Sequence, residues 1–385
     1  MALWHEGGLG DVIDSAHLAV AIRQSYNPDY LAYYLRKAVQ NDLVFCLRYD
    51  GKPVFDGTLQ TDIPWEDCVT SEAPKWDNFI DWKPYVPVEY RTEPHVSRHH
   101  RAPVLGVEAN LTEEWRTQYR DKPFAHIPCG TTALSGHLAP VVQAVDRSIP
   151  IEWQLLYRDM LKSPYLNALH DEKMSLHEIA CTALDIKPVS IDELEVKIEA
   201  PIRWQLKALS MSPYITIGPG SDTQAGGRQR QTKEWPDHRW EQLVQLLHDD
   251  MPKLRILQVG KAGEATIKGT TSLVGKTSIQ ELLWILKKSR LHLGCENGTV
   301  RMARACGVDS VVVFGPTSQY LYGMEHNAVI RSNACTPCFW KTSDWMLRCP
   351  HEWDALCMVS TPPKPVADAV MRLLEKADVA SRQLP

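Results

Sequence analysis

A short polar segment, Glu296–Thr299 (ENGT), could bind a phosphate group. It lies between an apolar segment, Leu291–Gly294, and a segment with helical spacing, Val300–Cys306, so it is predicted to connect a strand to a helix. Exposed backbone N–H groups at the start of such a helix favour an anion. A glycine turn before a helix is also common in purely structural strand–helix–strand units, and this alternative stays open.

A second loop, Gly315–Thr317 (GPT), follows the next predicted strand, Ser310–Phe314. This strand is β-branched and almost wholly apolar, as is typical of a strand buried on both faces. Loops that follow parallel strands lie at the carboxyl edge of the sheet, where open α/β sheets bind ligands. The two loops are therefore predicted to face one crevice.

A third region combines glycines with positive charge. A predicted strand, Tyr214–Ile217, ends in a glycine loop, and the basic segment Arg228–Trp235 follows it. Glycines allow close approach of the backbone to a phosphate-bearing ligand, and basic or hydroxyl side chains would neutralise and bind it. The candidate residues are Gly218, Gly220, Arg228, Arg230, Thr232 and Lys233. A solvated loop with scattered cations is the alternative.

Near the N-terminus, three glycines within four residues precede Asp11. Glycines at Gly7, Gly8 and Gly10 allow a tight turn and close approach to a ligand, although the spacing is not that of a dinucleotide-binding fingerprint. Asp11 falls at the start of a predicted helix. It is either a helix-capping or first-turn acid, or a carboxylate held in an interdomain cleft as a general base.

Four cysteines near the C-terminus have the spacing C-x2-C-x10-C-x7-C. Such a density of thiols in a short polar segment matches a tetrahedral metal site, with zinc or a rubredoxin-like iron as the ion. The predicted ligands are Cys335, Cys338, Cys349 and Cys357, with His351 as a substitute. Two disulfides or unligated thiols are the alternative.

The elements that position these residues predict two α/β domains. Strand, glycine loop and helix follow one another at the N-terminus and again after Pro213, which indicates a doubly wound parallel sheet in the second half. The predicted division is a first domain at 1–209, a second domain at 210–364 with a cysteine-rich insert at 333–358, and a closing helix at 365–385. Within the first domain, Leu43–Leu47 is predicted as a strand and Asp50-Gly51 as a hairpin turn.

Composition restricts the class of protein. The chain has 385 residues, enough for two domains with full cores, and a net charge of −5, which argues against a nucleic-acid backbone binder. We find no run of 18 apolar residues and no export signal, so the expectation is a cytoplasmic protein without a transmembrane segment. In that compartment the ten cysteines are expected to be reduced or metal-bound.

Taken in order, GGLGD at 7–11, RQTKEWP at 230–236 and ENGTVRMARACG at 296–307 followed by VVVFGPT resemble glycosyltransferase family 9, the ADP-heptose heptosyltransferases. The resemblance implies the GT-B fold, in which two Rossmann-like domains face a cleft, here with a small four-cysteine metal finger. It also implies that the domain at 1–209 binds the acceptor and that the domain at 210–364 binds the nucleotide-sugar. The four-cysteine form is most similar to the bacterial autotransporter heptosyltransferases, which modify proteins and carry an iron-binding finger.

The resemblance also implies roles for individual residues. Asp11 matches the general base that deprotonates the acceptor hydroxyl, and Lys233 matches the lysine that stabilises the departing diphosphate. Two positions depart from the family pattern: Glu296 stands for its aspartate and Arg301 for its histidine. The implied donor-binding residues are Gly10, Gly218, Gly220, Arg230, Thr232, Lys233, Glu264, Glu296, Asn297, Gly298, Thr299, Arg301, Gly315, Pro316 and Thr317.

The predicted function is therefore inverting transfer of a sugar, with ADP-heptose as the expected donor, to a hydroxyl of a protein or lipopolysaccharide-type acceptor. No catalytic metal is expected, and the four-cysteine site would hold structural iron or zinc. A homo-oligomer is compatible with the resemblance. The alternatives are another nucleotide-sugar donor on the same fold, or a catalytically silent nucleotide-binding or interaction protein.

Overall fold

The protein is represented by a computed structural model. It describes residues 2–4, 8–35, 38–60, 79–83, 124–128, 173, 175–183, 186–220, 231–335, 337–339 and 345–383. The chain divides into two compact units. The first unit comprises Met1–Leu194 with Trp340–Ser343, and the second comprises Glu195–Phe339 with Asp344–Pro385.

The first unit contains a five-stranded parallel sheet in the order β5-β2-β1-β6-β7. Its strands are β1 (Ala2–Trp4), β2 (Ala32–Leu35), β5 (Gly57–Gln60), β6 (Phe79–Lys83) and β7 (Phe124–Pro128). The described helices of this unit are α1 (Leu9–Tyr26), α2 (Ala38–Val44) and α3 (Leu176–Ala183). Helix α1 packs on the core through an apolar face that includes Ile13, Ala16 and Val20.

A short hairpin joins β3 (Leu47–Tyr49) to β4 (Lys52–Pro53) in the first unit. Asp50 and Gly51 form its turn with φ of 49° and 71°, which is the left-handed backbone that such a two-residue turn requires. The hairpin prediction is thus confirmed. The predicted strand Leu43–Leu47 is wrong, because helix α2 extends to Val44; a short apolar run does not distinguish a buried strand from the end of a helix.

The second unit is built on a six-stranded, wholly parallel sheet in the order β11-β10-β9-β12-β13-β14. Its strands are β9 (Tyr214–Gly218), β10 (Arg255–Gln258), β11 (Thr271–Ser272), β12 (His292–Cys295), β13 (Ser310–Phe314) and β14 (Ala328–Arg331), and the short β8 (Glu195–Val196) precedes them. All five residues of β13 are buried, as its β-branched sequence predicts.

Helices cover this sheet. They are α4 (Trp204–Leu209), α5 (Asp237–Asp250), α6 (Ile279–Lys287), α7 (Gly298–Ala305), α8 (Leu356–Val359) and α9 (Pro363–Gln383). One face of α5, with Trp240, Leu243, Val244 and Leu247, is buried in a large apolar cluster of the unit. None of the described helices is long and apolar enough to cross a membrane.

The boundary between the units lies between Leu194 and Glu195, earlier in the chain than the predicted division at 209 and 210. The reason is that helix α4 packs with the second unit: Leu206 shares an apolar cluster with Tyr214 and Leu257. The assignment of an acceptor side and a donor side to the two domains stays a prediction.

Candidate active site

The predicted loops do gather at one edge of the second sheet. Strands β9 and β12 pair in parallel, with Gly218 opposite Gly294, so the segments after both strands begin at the same carboxyl edge. Strand β13 pairs in parallel with β12, which brings the loop beginning at Gly315 to that edge as well. In an open parallel sheet, this is the edge that binds ligands.

Asn297 connects two of these loops through its side-chain amide. Its nitrogen donates hydrogen bonds to the carbonyl oxygens of Gly218 and Gly220, at 3.0 and 2.7 Å. Its oxygen accepts from the backbone N–H groups of Thr299 and Val300, at 3.0 and 3.2 Å, and so caps helix α7. Asn297 therefore occupies two of the backbone donors that the sequence suggested for a phosphate.

His292 on β12 supports this cap from inside the sheet and was not identified from the sequence. Its Nδ1 lies 2.9 Å from the Thr216 hydroxyl and its Nε2 lies 3.0 Å from the Thr299 hydroxyl. A side chain at Gly218 would collide with Thr299, so glycine is needed there for the loops to approach. The only sequence signal was a histidine at a position where the strand pattern predicts burial.

Acidification is expected to weaken the second unit through His292. Full burial lowers the pKa of this imidazole to about 3, whereas an unfolded chain takes up the proton near its ordinary value of 6.5. Stability is therefore highest above pH 6.5, and the free energy of unfolding should fall by about 1.4 kcal/mol for each pH unit below it. Urea unfolding at pH 8.0 and 5.5 measures the effect. The free energy of unfolding of His292→Asn should depend less on pH. An equal dependence in this variant would show that His292 is not the cause.

A buried cluster of three charged side chains lies beside the cap. The Lys233 Nζ lies 2.6 Å from Glu296 Oε2, and Arg301 donates from its guanidinium to Glu296 Oε1 at 2.8 Å. The Arg301 guanidinium also lies over the Tyr322 ring, 5.7 Å from its centroid, within the range of a cation–π contact. The side chains of Glu296 and Arg301 are each 7% exposed, and that of Lys233 is 15% exposed.

The two cations keep Glu296 ionised. Burial alone would raise the pKa of this carboxyl group, but the charges of Lys233 and Arg301 and their hydrogen bonds outweigh burial and hold the pKa at about 2. The cluster therefore carries one negative and two positive charges at neutral pH. The Lys233 side chain is the most exposed of the three, so Lys233 is the cation best placed to meet an anionic ligand.

Glu264 lies against the glycine loops on the other side of β9. Its Oε1 accepts a hydrogen bond from the Lys261 N–H at 2.8 Å. A Cβ atom at Gly220 or at Gly260 would lie within 3 Å of the Glu264 carboxylate group, so this carboxylate lies close to both backbone segments. The structure thus places Glu264 next to the Gly218–Gly220 loop, where the sequence predicts contact with the donor.

The cysteine-rich segment is attached to the same edge. The Thr232 hydroxyl and N–H donate to the carbonyl oxygens of Trp345 and Met346, at 2.7 and 2.8 Å. The Cys338 N–H donates to the carbonyl oxygen of Pro316 at 2.8 Å. The buried Thr232 side chain thus contacts this segment, although the sequence suggested a hydroxyl bond to the ligand.

The four cysteines of the predicted metal finger are neighbours but do not form a closed tetrahedral set. None of the four is in a disulfide. The pKa of the Cys357 thiol is raised by burial, then by the proximity of Cys335 and Cys338, and further by Cys349. Within the part of the chain that the structure describes, no three of these sulfur atoms lie within 4.8 Å of one another.

In the first unit, Asp11 lies in the first turn of helix α1. Its Oδ2 accepts a hydrogen bond from the Gly8 N–H at 2.6 Å, so the residue has the capping role that the sequence offered as one alternative. The carboxylate is also near the buried Tyr33 of β2: burial raises the pKa of Tyr33, and the charges of Asp11 and Asp14 raise it further. The general-base role that the sequence also offered for Asp11 stays a prediction.

The remaining predicted residues are placed as follows. Gly10 lies in the first turn of α1, Gly298 begins α7, and Thr317 is buried after β13. Arg228 and Arg230 lie outside the described residues. The structure thus brings together the second-unit loops that carry Gly218, Gly220, Lys233, Glu264 and Glu296–Arg301.

A comparison with protein-family models matches residues 153–346 to "Glycosyltransferase family 9 (heptosyltransferase)", half of the chain. The chain belongs to glycosyltransferase family 9. It is therefore a glycosyltransferase, and the resemblance of the sequence motifs is confirmed at the level of the family. A search of curated proteins finds no significant match.

Solved structures of heptosyltransferases and of a family 9 glycosyltransferase have the same fold. The ADP-heptose lipopolysaccharide heptosyltransferase II of Escherichia coli has a TM-score of 0.54 at 12% identity, over 98% of this chain and 99% of that one. A family 9 glycosyltransferase of Veillonella parvula has a TM-score of 0.58 at 14% identity, over 97% of both chains. The dodecameric, iron-containing heptosyltransferase TibC, in complex with ADP-D-β-D-heptose, has a TM-score of 0.54 at 15% identity, over 98% of this chain and 76% of that one. At these identities the likeness concerns the fold, an α/β fold similar to that of the GT-B heptosyltransferases.

Proposed function

We propose that this glycosyltransferase transfers heptose from ADP-heptose to a hydroxyl group of a protein or glycan acceptor, with inversion at the anomeric carbon. The observation that carries the proposal is the carboxyl edge of the second sheet. There, Asn297 joins the glycine loop after β9 to the start of α7 through its hydrogen bonds. The Lys233 ammonium forms an ion pair with Glu296, the residue that precedes Asn297. Membership of family 9 and the fold of heptosyltransferases support the choice of donor.

In this proposal, one group of the protein acts on the acceptor hydroxyl and others act on the departing diphosphate. Asp11 removes the proton of the acceptor hydroxyl as the new glycosidic bond forms. The bond from the anomeric carbon to the diphosphate breaks at the same time, and the negative charge that develops on the diphosphate is stabilised by Lys233 and by the positive end of helix α7. The displacement needs no divalent metal, because these groups supply the positive charge.

A different nucleotide-sugar is the second candidate donor. Glu296 and Arg301 stand where the family pattern has aspartate and histidine, and the structure pairs these two departures with each other at 2.8 Å. A longer acid tied to an arginine changes the position of the carboxylate that would face the donor sugar. The family and the fold do not restrict that sugar further.

The donor is tested by calorimetry and thermal shift with ADP-heptose, ADP, and UDP- and GDP-sugars. The proposal expects stabilisation by ADP-heptose and ADP and little effect of the other nucleotides, since a ligand that binds only the native state raises the melting temperature. Preference for a UDP- or GDP-sugar would retain sugar transfer and reject heptose. A cytoplasmic location and self-association stay predictions, and size-exclusion chromatography checks the latter.

We also propose that Cys335, Cys338, Cys349 and Cys357 hold a structural iron or zinc ion. Thiols are the donors that these ions prefer, and the CxxC pair is already next to Cys357. To bind one ion together, the four sulfur atoms must come nearer to one another than they are here, so we expect the site to close when the ion binds. Such an ion would fix the segment that contacts Thr232 and Pro316.

Elemental analysis of the same purified sample tests the metal site. The expected content is about one iron or zinc ion per chain, lost in Cys357→Ser. Cys306→Ser is the matched control, because Cys306 lies elsewhere in the second unit and its thiol contacts the carbonyl oxygen of Leu283. Equal metal content in the two variants would reject this ligand set.

A further inference from the structure

We propose that Arg301 is a positioning residue that keeps the positive charge of Lys233 available to the diphosphate of the donor, by taking the second oxygen of Glu296. This inference rests on the proposed function, because it assumes that Lys233 meets a nucleoside diphosphate. It assigns to Arg301 an effect through Glu296 and not a contact with the ligand.

Lys233 and Arg301 contact different oxygens of Glu296 and differ in their exposure to solvent. Both oxygens of Glu296 are occupied, Oε2 by Lys233 at 2.6 Å and Oε1 by Arg301 at 2.8 Å. The Arg301 side chain is 7% exposed and lies over the Tyr322 ring, whereas Lys233 is 15% exposed. Arg301 is thus held on the protein side of the carboxylate, and Lys233 is the member of the cluster nearer to solvent.

The charges explain why a second cation matters. A lysine paired with one buried carboxylate forms a neutral pair, which attracts a diphosphate weakly. Adding Arg301 gives the cluster a net charge of about +1, and in a partly buried site a unit charge a few ångströms from a phosphate strengthens binding by about tenfold. Arginine suits this task because its guanidinium stays protonated and binds a carboxylate oxygen in a fixed direction.

Two variants test the inference directly. Arg301→Gln leaves the neutral pair of Lys233 and Glu296. The double variant Arg301→Gln with Glu296→Gln leaves Lys233 as a lone, partly exposed cation. The inference expects Arg301→Gln to weaken binding of a nucleoside diphosphate by about tenfold. The double variant should regain most of that loss, because no carboxylate then cancels the lysine.

This recovery distinguishes charge compensation from a structural role. If Arg301 only held the loop in shape, the double variant, which has lost both partners, would bind no better than the single one. Arg301→Lys serves as the conservative control and should retain most of the affinity. Binding of adenosine, which has no phosphate, should be similar in all variants.

The experiment is calorimetric titration with ADP, UDP and GDP at constant ionic strength, using the diphosphate that the wild type binds most tightly. Equal affinity of wild type and Arg301→Gln would overturn the inference while leaving the proposed function in place. A double variant as weak as Arg301→Gln would also overturn it. A wild type that binds none of the three would reject the proposed function and this inference together.

Discussion

Asp11→Asn is expected to lower turnover about a thousandfold while the dissociation constant for ADP changes by less than about threefold. Asparagine is nearly the same size and its amide oxygen can still accept the hydrogen bond from the Gly8 N–H, so the start of α1 should keep its cap. The amide cannot take a proton from the acceptor hydroxyl. The measurements are steady-state transfer and calorimetry with ADP on the same preparation.

Asp14→Asn is the matched control for this variant, because Asp14 lies one turn further along α1 and also near Tyr33. It should transfer sugar at close to the wild-type rate. If Asp11→Asn transferred sugar normally, Asp11 would be a cap and not the base. A fall in melting temperature together with a loss of ADP binding would likewise assign it a structural role.

Lys233→Ala is expected to weaken ADP binding by about tenfold to a hundredfold, with little change in the binding of adenosine. The ammonium is the most exposed charge of the cluster, and its removal leaves Glu296 paired with Arg301, a neutral and buried pair. The protein should therefore fold but lack the cation that meets the diphosphate. Calorimetry with ADP and with adenosine separates the phosphate contribution from that of the base.

Lys253→Ala is the control for Lys233→Ala, because Lys253 is exposed and precedes β10, at the opposite edge of the second sheet. It should bind ADP as the wild type does. An unchanged dissociation constant in Lys233→Ala would remove this lysine from the donor site and leave the buried cluster as a structural feature.

The second unit was predictable because its sequence patterns are strong and local. Tyr214–Ile217 and Ser310–Phe314 are short apolar runs bounded by glycine, and both are strands of the sheet. Ser278 precedes a segment with helical apolar spacing, as a helix-capping residue does, and its hydroxyl accepts from the Glu281 N–H. In the first unit, Leu43–Leu47 failed because an apolar run of five residues carries no periodicity that favours a strand over a helix end.

The rule that parallel strands place their loops at one edge predicted which segments of the site would meet. It could not predict which side chains would pair there, because Lys233 and Glu296 are far apart in sequence and their contact depends on tertiary packing. It also missed His292, since a lone histidine in an apolar strand gives no sign of its hydrogen-bond partners. The catalytic and donor-binding roles remain predictions.

The contacts of Asn297 also concern the chemical lifetime of the enzyme. Asn-Gly sequences, such as that of Asn297 and Gly298, are prone to spontaneous deamidation, in which the backbone nitrogen of the glycine attacks the asparagine side chain. Here the amide nitrogen is bound by two carbonyl oxygens and the amide oxygen by the start of α7, so attack requires this loop to open. Conversion to aspartate would replace a donor with a negative charge facing two carbonyl oxygens. A negative charge at this one position would therefore weaken the junction between the two loops.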